Sequence, residues 1–285
     1  MYDYKRNEVG TMNTERKMKN MAAKAVVAVM MVFGFMMPVA AQSALMPSFE
    51  SLPPISIENT TAVRDISQVA VTTDGLVYVT ESSNARNSIA VVTPLGEKVR
   101  VIKGVAIPQG IAVNSKGTVF VSSLGDMSVT IMKSDGTKIG TFGKGKGEFL
   151  RPVFVATDPL NDEVYVTDQK ASEIKVYSPS GAYLRTISDP GNYPSSAVVY
   201  GDMLYVLDSP LIASGVRAAR IAVFNKASGA AAGSFGDYGE GAGQMKTPQS
   251  LAIDYSGRLY VVDAHHLVVH CYDAPAGAYL GGYSR

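Results

Sequence analysis

Four side chains that could do chemistry lie in one short C-terminal segment, namely His265, His266, His270 and Cys271. Imidazole nitrogens are frequent metal ligands, and a thiolate beside a base can act as a nucleophile. Histidines four residues apart share a face on a helix, whereas "LYVVDAHHLVVHCYD" indicates two strands joined by a turn. We therefore expect two turn histidines and one exposed strand histidine, with no metal site and no catalytic residue among them.

The single cysteine, Cys271, falls on the apolar side of the predicted strand. His270 directly precedes it and points to the opposite face, because successive strand residues alternate. A thiolate nucleophile needs a base and electropositive surroundings, so we interpret Cys271 as a buried small hydrophobic residue. With one cysteine the chain forms no intramolecular disulfide, and its core must hold the fold.

Four carboxylates recur at the ends of strand-like segments: Glu81, Asp168, Asp208 and Asp263. One interpretation is a ring of acidic groups on one face that binds a ligand. The alternative is structural, since an Asp side chain commonly caps the turn that follows it. We favour the structural role because the position recurs, whereas a catalytic group is normally unique to one repeat.

An insertion follows Asp208, in the sequence "SPLIASGVRAAR" at 209–220. Loop insertions on a constant scaffold are a common origin of binding sites, although many are merely tolerated. Its two arginines could hold an anionic group through their guanidinium forks. The candidate ligand-binding residues are therefore Glu81, Asp168, Asp208, Arg217, Arg220, Asp263 and His265.

The elements that carry these residues recur five times along the chain. Each repeat has a first strand, a second strand, a third strand, a turn glycine and a fourth strand. The second-strand aromatic residues are 42, 45, 40 and 55 residues apart, at Tyr78, Phe120, Tyr165, Tyr205 and Tyr260. The predicted first strands are 68–71, 110–113, 154–157, 196–199 and 250–253, and the turn glycines are Gly96, Gly136, Gly181, Gly229 and Gly277.

Four short strands in about 40–45 residues is the period of a β-propeller blade. A single blade cannot bury both of its faces, and radial stacking covers each face with the next blade. The sequence therefore predicts an all-β protein, a β-propeller of four-stranded antiparallel blades with five repeats visible. A two-layer sandwich is the structural alternative, but it would not require such regular spacing.

The repeats resemble NHL repeats over roughly residues 62–285. The segments "RPVFVATDPLNDEVYVTDQKASEIKVYSPSG" and "TPQSLAIDYSGRLYVVDAHHLVVHCYDAPAG" match that pattern closely, and glycine-rich connections precede both. The first repeat departs with Ile66 in the proline position, and the second has Ser123 in place of Asp. The resemblance implies a propeller, usually six-bladed, so either the ring closes with five blades or a blade is missing, and we favour a truncated or incomplete six-bladed ring.

The N-terminal region has the pattern of a secretory signal peptide at 18–41. Lys19 and Lys24 precede an uncharged run from Ala25 to Met37, which small residues follow. The run is short for a membrane span, which needs about 20 residues. We expect translation to start at Met18, residues 1–17 to be an extension foreign to the protein, and 42–61 to be a linker or N-terminal strand.

Charge argues against a nucleic-acid partner. Residues 1–44 hold 6 of the 26 Lys and Arg and 3 of the 25 Asp and Glu, which leaves 20 basic and 22 acidic residues in the body. A near-neutral body has no field that would attract a phosphate backbone. RNA binding, which the resemblance allows, therefore conflicts with both the charge and the signal peptide.

Two functions stay open at this point. The first is an exported, periplasmic or extracellular, monomeric propeller that binds a protein, glycan or small molecule on its loop face without catalysis and without a cofactor. The second is a metal-dependent enzyme, because related propellers include lyases and lactonases, and this alternative would require a divalent cation. Lyases of one such type place histidines on several blades, whereas this chain has histidines in its fifth repeat alone.

Overall fold

The computed structural model describes residues 66–83, 86–144, 148–209 and 218–284. Every strand within these ranges belongs to one of five four-stranded antiparallel sheets, each formed by consecutive strands of the chain. The strands are β1 Ile66–Val71, β2 Val77–Ser83, β3 Arg86–Val92, β4 Lys98–Ile102, β5 Pro108–Val113, β6 Val119–Ser123, β7 Ser128–Met132, β8 Lys138–Phe142, β9 Pro152–Thr157, β10 Val164–Asp168, β11 Glu173–Tyr177, β12 Tyr183–Ser188, β13 Pro194–Tyr200, β14 Met203–Asp208, β15 Arg220–Asn225, β16 Ala231–Phe235, β17 Pro248–Ile253, β18 Arg258–Asp263, β19 Val268–Asp273 and β20 Ala278–Ser284.

Tight turns join the third and fourth strands of each sheet. The glycine of each turn has a φ between 65° and 92°, a region that side chains disfavour. The five predicted turn glycines, Gly96, Gly136, Gly181, Gly229 and Gly277, are confirmed at these positions.

The sheets are the blades of a five-bladed β-propeller, arranged in a ring. The second-strand aromatic residue of each of the first four blades packs in a hydrophobic cluster with the following blade. Tyr78 shares a cluster with Ile111, and Tyr165 shares one with Ala197. Burial against the neighbouring blade is the stacking that the repeat period predicts, and it confirms the fold class.

The first strands of all five blades line a central cavity of about 350 Å³. Its wall is largely aliphatic, as at Val69, Ile111 and Val155. Gln68 ties three blades together there, because its Oε1 accepts the Ile111 N–H at 2.9 Å and its Nε2 donates to the Val155 carbonyl at 3.0 Å. The channel side is therefore mainly a packing surface within the ring.

The junction between blade 5 and blade 1 differs from the other four. Among residues of the described ranges, Val77, Val79, Ala90 and Val92 form a cluster within blade 1. Ala252, Val262 and Val269 form a separate cluster within blade 5. No cluster of described residues joins these two blades, and the incomplete six-bladed ring stays a prediction.

The extension at 1–17, the signal peptide at 18–41 and the linker at 42–61 lie outside the described residues. Within the described ranges, no helix has the length and apolar character needed to cross a membrane.

Candidate functional site on the loop face

We call one end of the propeller the loop face. It consists of the segments that follow the second strands and the connections that lead into blades 2 to 5. An equivalent backbone hydrogen bond joins these two kinds of segment in each of those blades, from the N–H of Leu124 to Ile107, Gln169 to Arg151, Ser209 to Tyr193 and Ala264 to Thr247, and blade 2 has a second one from Gly125 to Ala106. The opposite end, which we call the hairpin end, consists of the turns between strands one and two and between strands three and four.

Asp168 shows how the predicted carboxylates are used. It is fully buried at the end of β10, and its two oxygens accept the backbone N–H groups of Leu150 and Arg151 at 2.8 and 2.7 Å. The Lys175 ammonium lies 3.3 Å from the same carboxylate. Asp168 therefore fastens the incoming connection to its blade.

Asp208 does the same in blade 4. It accepts the Tyr193 N–H at 2.9 Å, and the Arg220 Nε lies 3.3 Å away. A side chain at Gly191 would collide with this carboxylate, since a Cβ there would lie 2.2 Å from the Asp208 Cγ. Arg220 is thus paired with an internal carboxylate, while Arg217 lies outside the described residues.

Blades 1 and 2 vary the same arrangement. Glu81 is buried and accepts the Ser88 hydroxyl at 2.9 Å. Ser123 replaces the carboxylate in blade 2, where its hydroxyl donates to the Ala106 carbonyl of the incoming connection and accepts the Asp126 N–H. In blades 2 to 5 the side chain at this position binds the preceding connection, and in blades 2 and 5 it also accepts a backbone N–H of the following turn.

Asp263 makes the densest set of contacts in this series. It is fully buried, and it accepts backbone N–H groups from Lys246 at 2.7 Å, Thr247 at 3.1 Å and His265 at 2.9 Å. Burial raises the pKa of Asp263, but the surrounding donors outweigh it and hold the pKa well below its usual value. The backbone amides are the stronger donors, because the His270 Nε2 is 3.8 Å away and too distant for a hydrogen bond.

Blade 5 also brings two histidines to this carboxylate. The His266 Nδ1 lies 2.9 Å from the Asp263 Oδ2, and its Nε2 lies 2.7 Å from the Glu240 Oε2. His270 is buried, so the expectation of an exposed strand histidine is wrong. The reason is that both faces of a propeller blade are covered, which also buries the equivalent Lys175.

The approach of His270 to Asp263 follows from strand register. His270 pairs with Val261, and Asp263 lies two residues further along the same strand, on the same face. Asp168 and Lys175 have the same diagonal relation in blade 3. The approach of His270 to Asp263 could have been predicted from the aligned repeats. The contact of Glu240 with His266 could not, because Glu240 lies in a connection outside the repeat pattern.

The structure also shows where His265 and Cys271 lie. His265 is exposed on the loop face, its ring centroid 5.3 Å from that of His266. Cys271 is fully buried, as predicted, and burial raises the pKa of its thiol to about 11. A thiol held protonated in this way is a poor nucleophile.

Exposed aliphatic side chains surround these polar groups on the loop face. Ile107, Met127 and Leu267 have exposed fractions of 43%, 42% and 57%, and Leu150 has 45%. The first three also have positive φ values of 49°, 46° and 56°. A positive φ is uncommon for any residue other than glycine and is an outlier for a β-branched one.

The comparisons with known proteins concern the fold. No family model matches the chain, and no curated protein matches it. A chain in the crystal structure of a nidogen/laminin complex aligns with a TM-score of 0.62 at 21% identity, over 77% of this chain and 80% of that chain. Virginiamycin B lyase from Staphylococcus aureus aligns with a TM-score of 0.58 at 16% identity, over 80% of this chain and 72% of that one. A streptogramin B lyase aligns with a TM-score of 0.58 at 15% identity, over 79% and 71%. At these identities the likeness supports the β-propeller fold.

Proposed function

We propose that the chain is an exported NHL-type propeller that acts as a non-enzymatic recognition module and binds a protein partner on its loop face. The observation that carries this proposal is the set of exposed aliphatic residues in left-handed backbone, Ile107, Met127 and Leu267. Left-handed backbone at a residue other than glycine costs on the order of 1–3 kcal/mol. The left-handed backbone at Met127 and Leu267 belongs to the turn, because Ser172 has a φ of 53° at the same position of blade 3, but the exposed apolar surface does not help the isolated fold.

The remaining contacts of this face are consistent with a scaffold. The buried carboxylates Asp168, Asp208 and Asp263 hold the connections rigidly against the blades. A rigid backbone presents its loops without a large ordering cost on binding. Aliphatic side chains favour a protein over a glycan, because sugars are recognised mainly through hydrogen bonds.

Two lines of support come from outside the loop face. The predicted signal peptide supports export of the module to the periplasm or to the outside of the cell. Among proteins of similar fold is a chain of a nidogen/laminin complex, which is an assembly of proteins.

Site-directed cross-linking tests the proposal. Cys271 is buried, so a cysteine introduced by Met127→Cys can carry a photo-cross-linker selectively. Leu95→Cys gives the matched control, because Leu95 is 84% exposed in a turn at the hairpin end. Each labelled protein is incubated with the secreted and envelope proteins of the producing organism. We expect one discrete adduct from position 127 and none from position 95.

Competition gives the quantitative measurement. Unlabelled wild-type protein should suppress the adduct, and a protein with Ile107→Lys and Leu150→Lys should suppress it at least about tenfold less well, since each substitution removes apolar contact. Equal adducts from positions 127 and 95 would contradict the proposal. Equal competition by the wild-type and the doubly substituted protein would contradict it as well.

The second candidate is a metal-dependent lyase or lactonase, and the fold likeness to virginiamycin B lyase favours it. Incubation of the purified protein with divalent cations and panels of cyclic depsipeptides and lactones would detect such turnover. Turnover abolished by chelation would favour this candidate over the binding module.

A further inference from the structure

We propose that Asp263, His266 and His270 form a binding site for a zinc-class divalent metal ion on the loop face of blade 5. The inference goes beyond the proposed recognition function and does not depend on it. One potential ligand atom from each of the three residues lies within 4.8 Å of the other two. Two imidazoles and one carboxylate form a donor set that suits zinc and other transition metals rather than magnesium or calcium.

The distances fit a small tetrahedral ion. Zinc bonds of about 2.0–2.2 Å place neighbouring ligand atoms about 3.4 Å apart. The Asp263 Oδ2 lies 2.9 Å from the His266 Nδ1 and 3.8 Å from the His270 Nε2. These two separations bracket the required value, and the three ligand atoms all lie within 4.8 Å of one another, so side-chain shifts of about 1 Å would complete the geometry.

The two histidines have hydrogen-bonding positions that the protein alone does not satisfy when their rings are neutral. The His270 Nε2 is buried and has no hydrogen-bond partner. His266 has a carboxylate oxygen opposite each ring nitrogen, at 2.9 and 2.7 Å. A neutral imidazole has one N–H and one lone pair, so one of these contacts sets a lone pair against an anion unless the ring binds a proton or its Nδ1 binds a metal ion. A metal ion beside the Asp263 Oδ2 satisfies both histidines at once.

Each histidine has a partner that would orient it for this role. The His270 Nδ1 lies 3.4 Å from the Tyr279 hydroxyl, which leaves its Nε2 directed at Asp263. The His266 Nε2 lies against the Glu240 carboxylate, which leaves its Nδ1 for the ion. Metal-bound histidines commonly donate their second ring N–H in this way, and the donation fixes the tautomer and the ring. The Asp263 Oδ2 accepts one backbone N–H, from Lys246, and keeps a second lone pair.

Comparison with blade 3 shows what the metal ligands replace. The position of His270 is occupied there by Lys175, whose ammonium pairs with Asp168 at 3.3 Å. The position of His266 is occupied by Ala171. Blade 3 thus neutralises its buried carboxylate with its own lysine, whereas blade 5 supplies imidazole ligands that an exogenous cation would complete.

The site has room for a further ligand. A cavity of about 350 Å³ opens over His266 and His270, bordered by Glu240, Gln244 and Tyr279. Three protein ligands with a fourth position open to a cavity are typical of zinc sites that bind water or an exchangeable ligand. The class of ligand that fits is an anionic or hydroxyl oxygen.

Zinc titration of the full-length protein tests the proposal. The protein is purified without a polyhistidine tag, stripped with a chelator and titrated with Zn²⁺ by calorimetry, and Co²⁺ absorption reports the ligand geometry. We expect one Zn²⁺ per chain and a melting temperature that rises with Zn²⁺ concentration. His270→Lys and His266→Ala, which install the residues of blade 3, should each weaken binding by at least about 100-fold. Glu240→Gln and Tyr279→Phe should weaken it by about 10–100-fold.

Two controls keep the test decisive. His270→Lys can form the carboxylate pair seen in blade 3, so circular dichroism should show a folded protein. His266→Ala affects a partly exposed side chain and serves if His270→Lys does not fold. His265→Lys, which also copies blade 3, should leave Zn²⁺ affinity unchanged. No stoichiometric Zn²⁺ in the wild type would overturn the site, as would unchanged affinity in His270→Lys. Loss of binding in His265→Lys and His266→Ala, with affinity unchanged in His270→Lys, would place the ion instead at Glu240, His265 and His266, and would also overturn it.

Discussion

A buried ion pair between blades 3 and 4 gives the sharpest stability prediction. The Lys226 ammonium lies 2.6 Å from the Asp158 carboxylate at the hairpin end, and the side chains are 9% and 0% exposed. Lys226 follows β15 in blade 4, and Asp158 begins the turn after β9 in blade 3. The pair therefore spans the blade junction, where no backbone hydrogen bond of a sheet can act.

Removal of either partner leaves a buried charge without its counter-ion. Asp158→Asn leaves the ammonium facing an amide, and Lys226→Met leaves a fully buried carboxylate that still accepts the Leu160 backbone N–H at 2.9 Å. Breaking a buried pair in this way costs about 3–5 kcal/mol in the free energy of unfolding. For a domain of this size, each kcal/mol lowers the melting temperature by about 2–4 °C, so we expect a loss of roughly 6–20 °C.

A double-mutant cycle isolates the interaction. Unfolding in urea can be followed by circular dichroism and tyrosine fluorescence, since the chain has no tryptophan. The double variant Asp158→Asn with Lys226→Met should be less destabilised than the sum of the single variants, by about 2 kcal/mol. The reason is that the second substitution removes the buried charge that the first one leaves without a counter-ion.

An exposed pair of the same chemistry is the control. Lys116 lies 3.6 Å from Asp162 across the junction of blades 2 and 3, and its side chain is 76% exposed. Such a pair contributes about 0–1 kcal/mol, so Lys116→Met should change the melting temperature little. If Lys226→Met and Asp158→Asn were no more destabilising than Lys116→Met, the buried pair would not hold these blades together.

Three further predictions follow from packing and titration. Gly110→Ala should destabilise the protein by about 1–3 kcal/mol in urea unfolding, because a Cβ there would lie 2.6 Å from the Val155 backbone nitrogen of blade 3. The control Gly140→Ala should leave stability unchanged, because its Cβ would lie 3.6 Å from the Ile131 Cδ1. The Arg185 hydrogen bonds hold the pKa of Glu163 below its ordinary 4.5. Their contribution to the free energy of unfolding is therefore complete above pH 4.5 and is lost as the pH falls through the pKa of Glu163 in the folded protein. In Glu163→Gln the free energy of unfolding should fall less steeply with acid, and an unchanged pH profile would refute this. Because burial raises the pKa of Cys271 to about 11, a thiol reagent at pH 8 should react with it in urea but not in the native protein, and rapid native labelling would contradict the burial.

The recurrence of strands could be predicted closely from the sequence. The predicted second strand ending at Asp168 is β10, and the predicted first strand at 110–113 lies within β5. Alternating apolar residues fix strand and face locally, and turn glycines fix the ends, so both are encoded in neighbouring residues.

The surroundings of the functional side chains could not be predicted in the same way. His270 is on the polar side of its strand, and alternation alone suggested solvent there. The structure covers that side with the incoming connection, so His270 meets Asp263 in a buried setting.

The sequence by itself determined the blade, because a blade is built from contacts between residues close along the chain. Tertiary structure alone decided which distant groups meet, as Asp158 and Lys226 do across 68 residues and Glu240 and His266 do across 26. The physical reason is that the packing of blades against each other and against the connections aligns distant turns and loops at each end of the propeller. Burial there then decides whether a carboxylate or an imidazole is paired, strained or free to take a ligand.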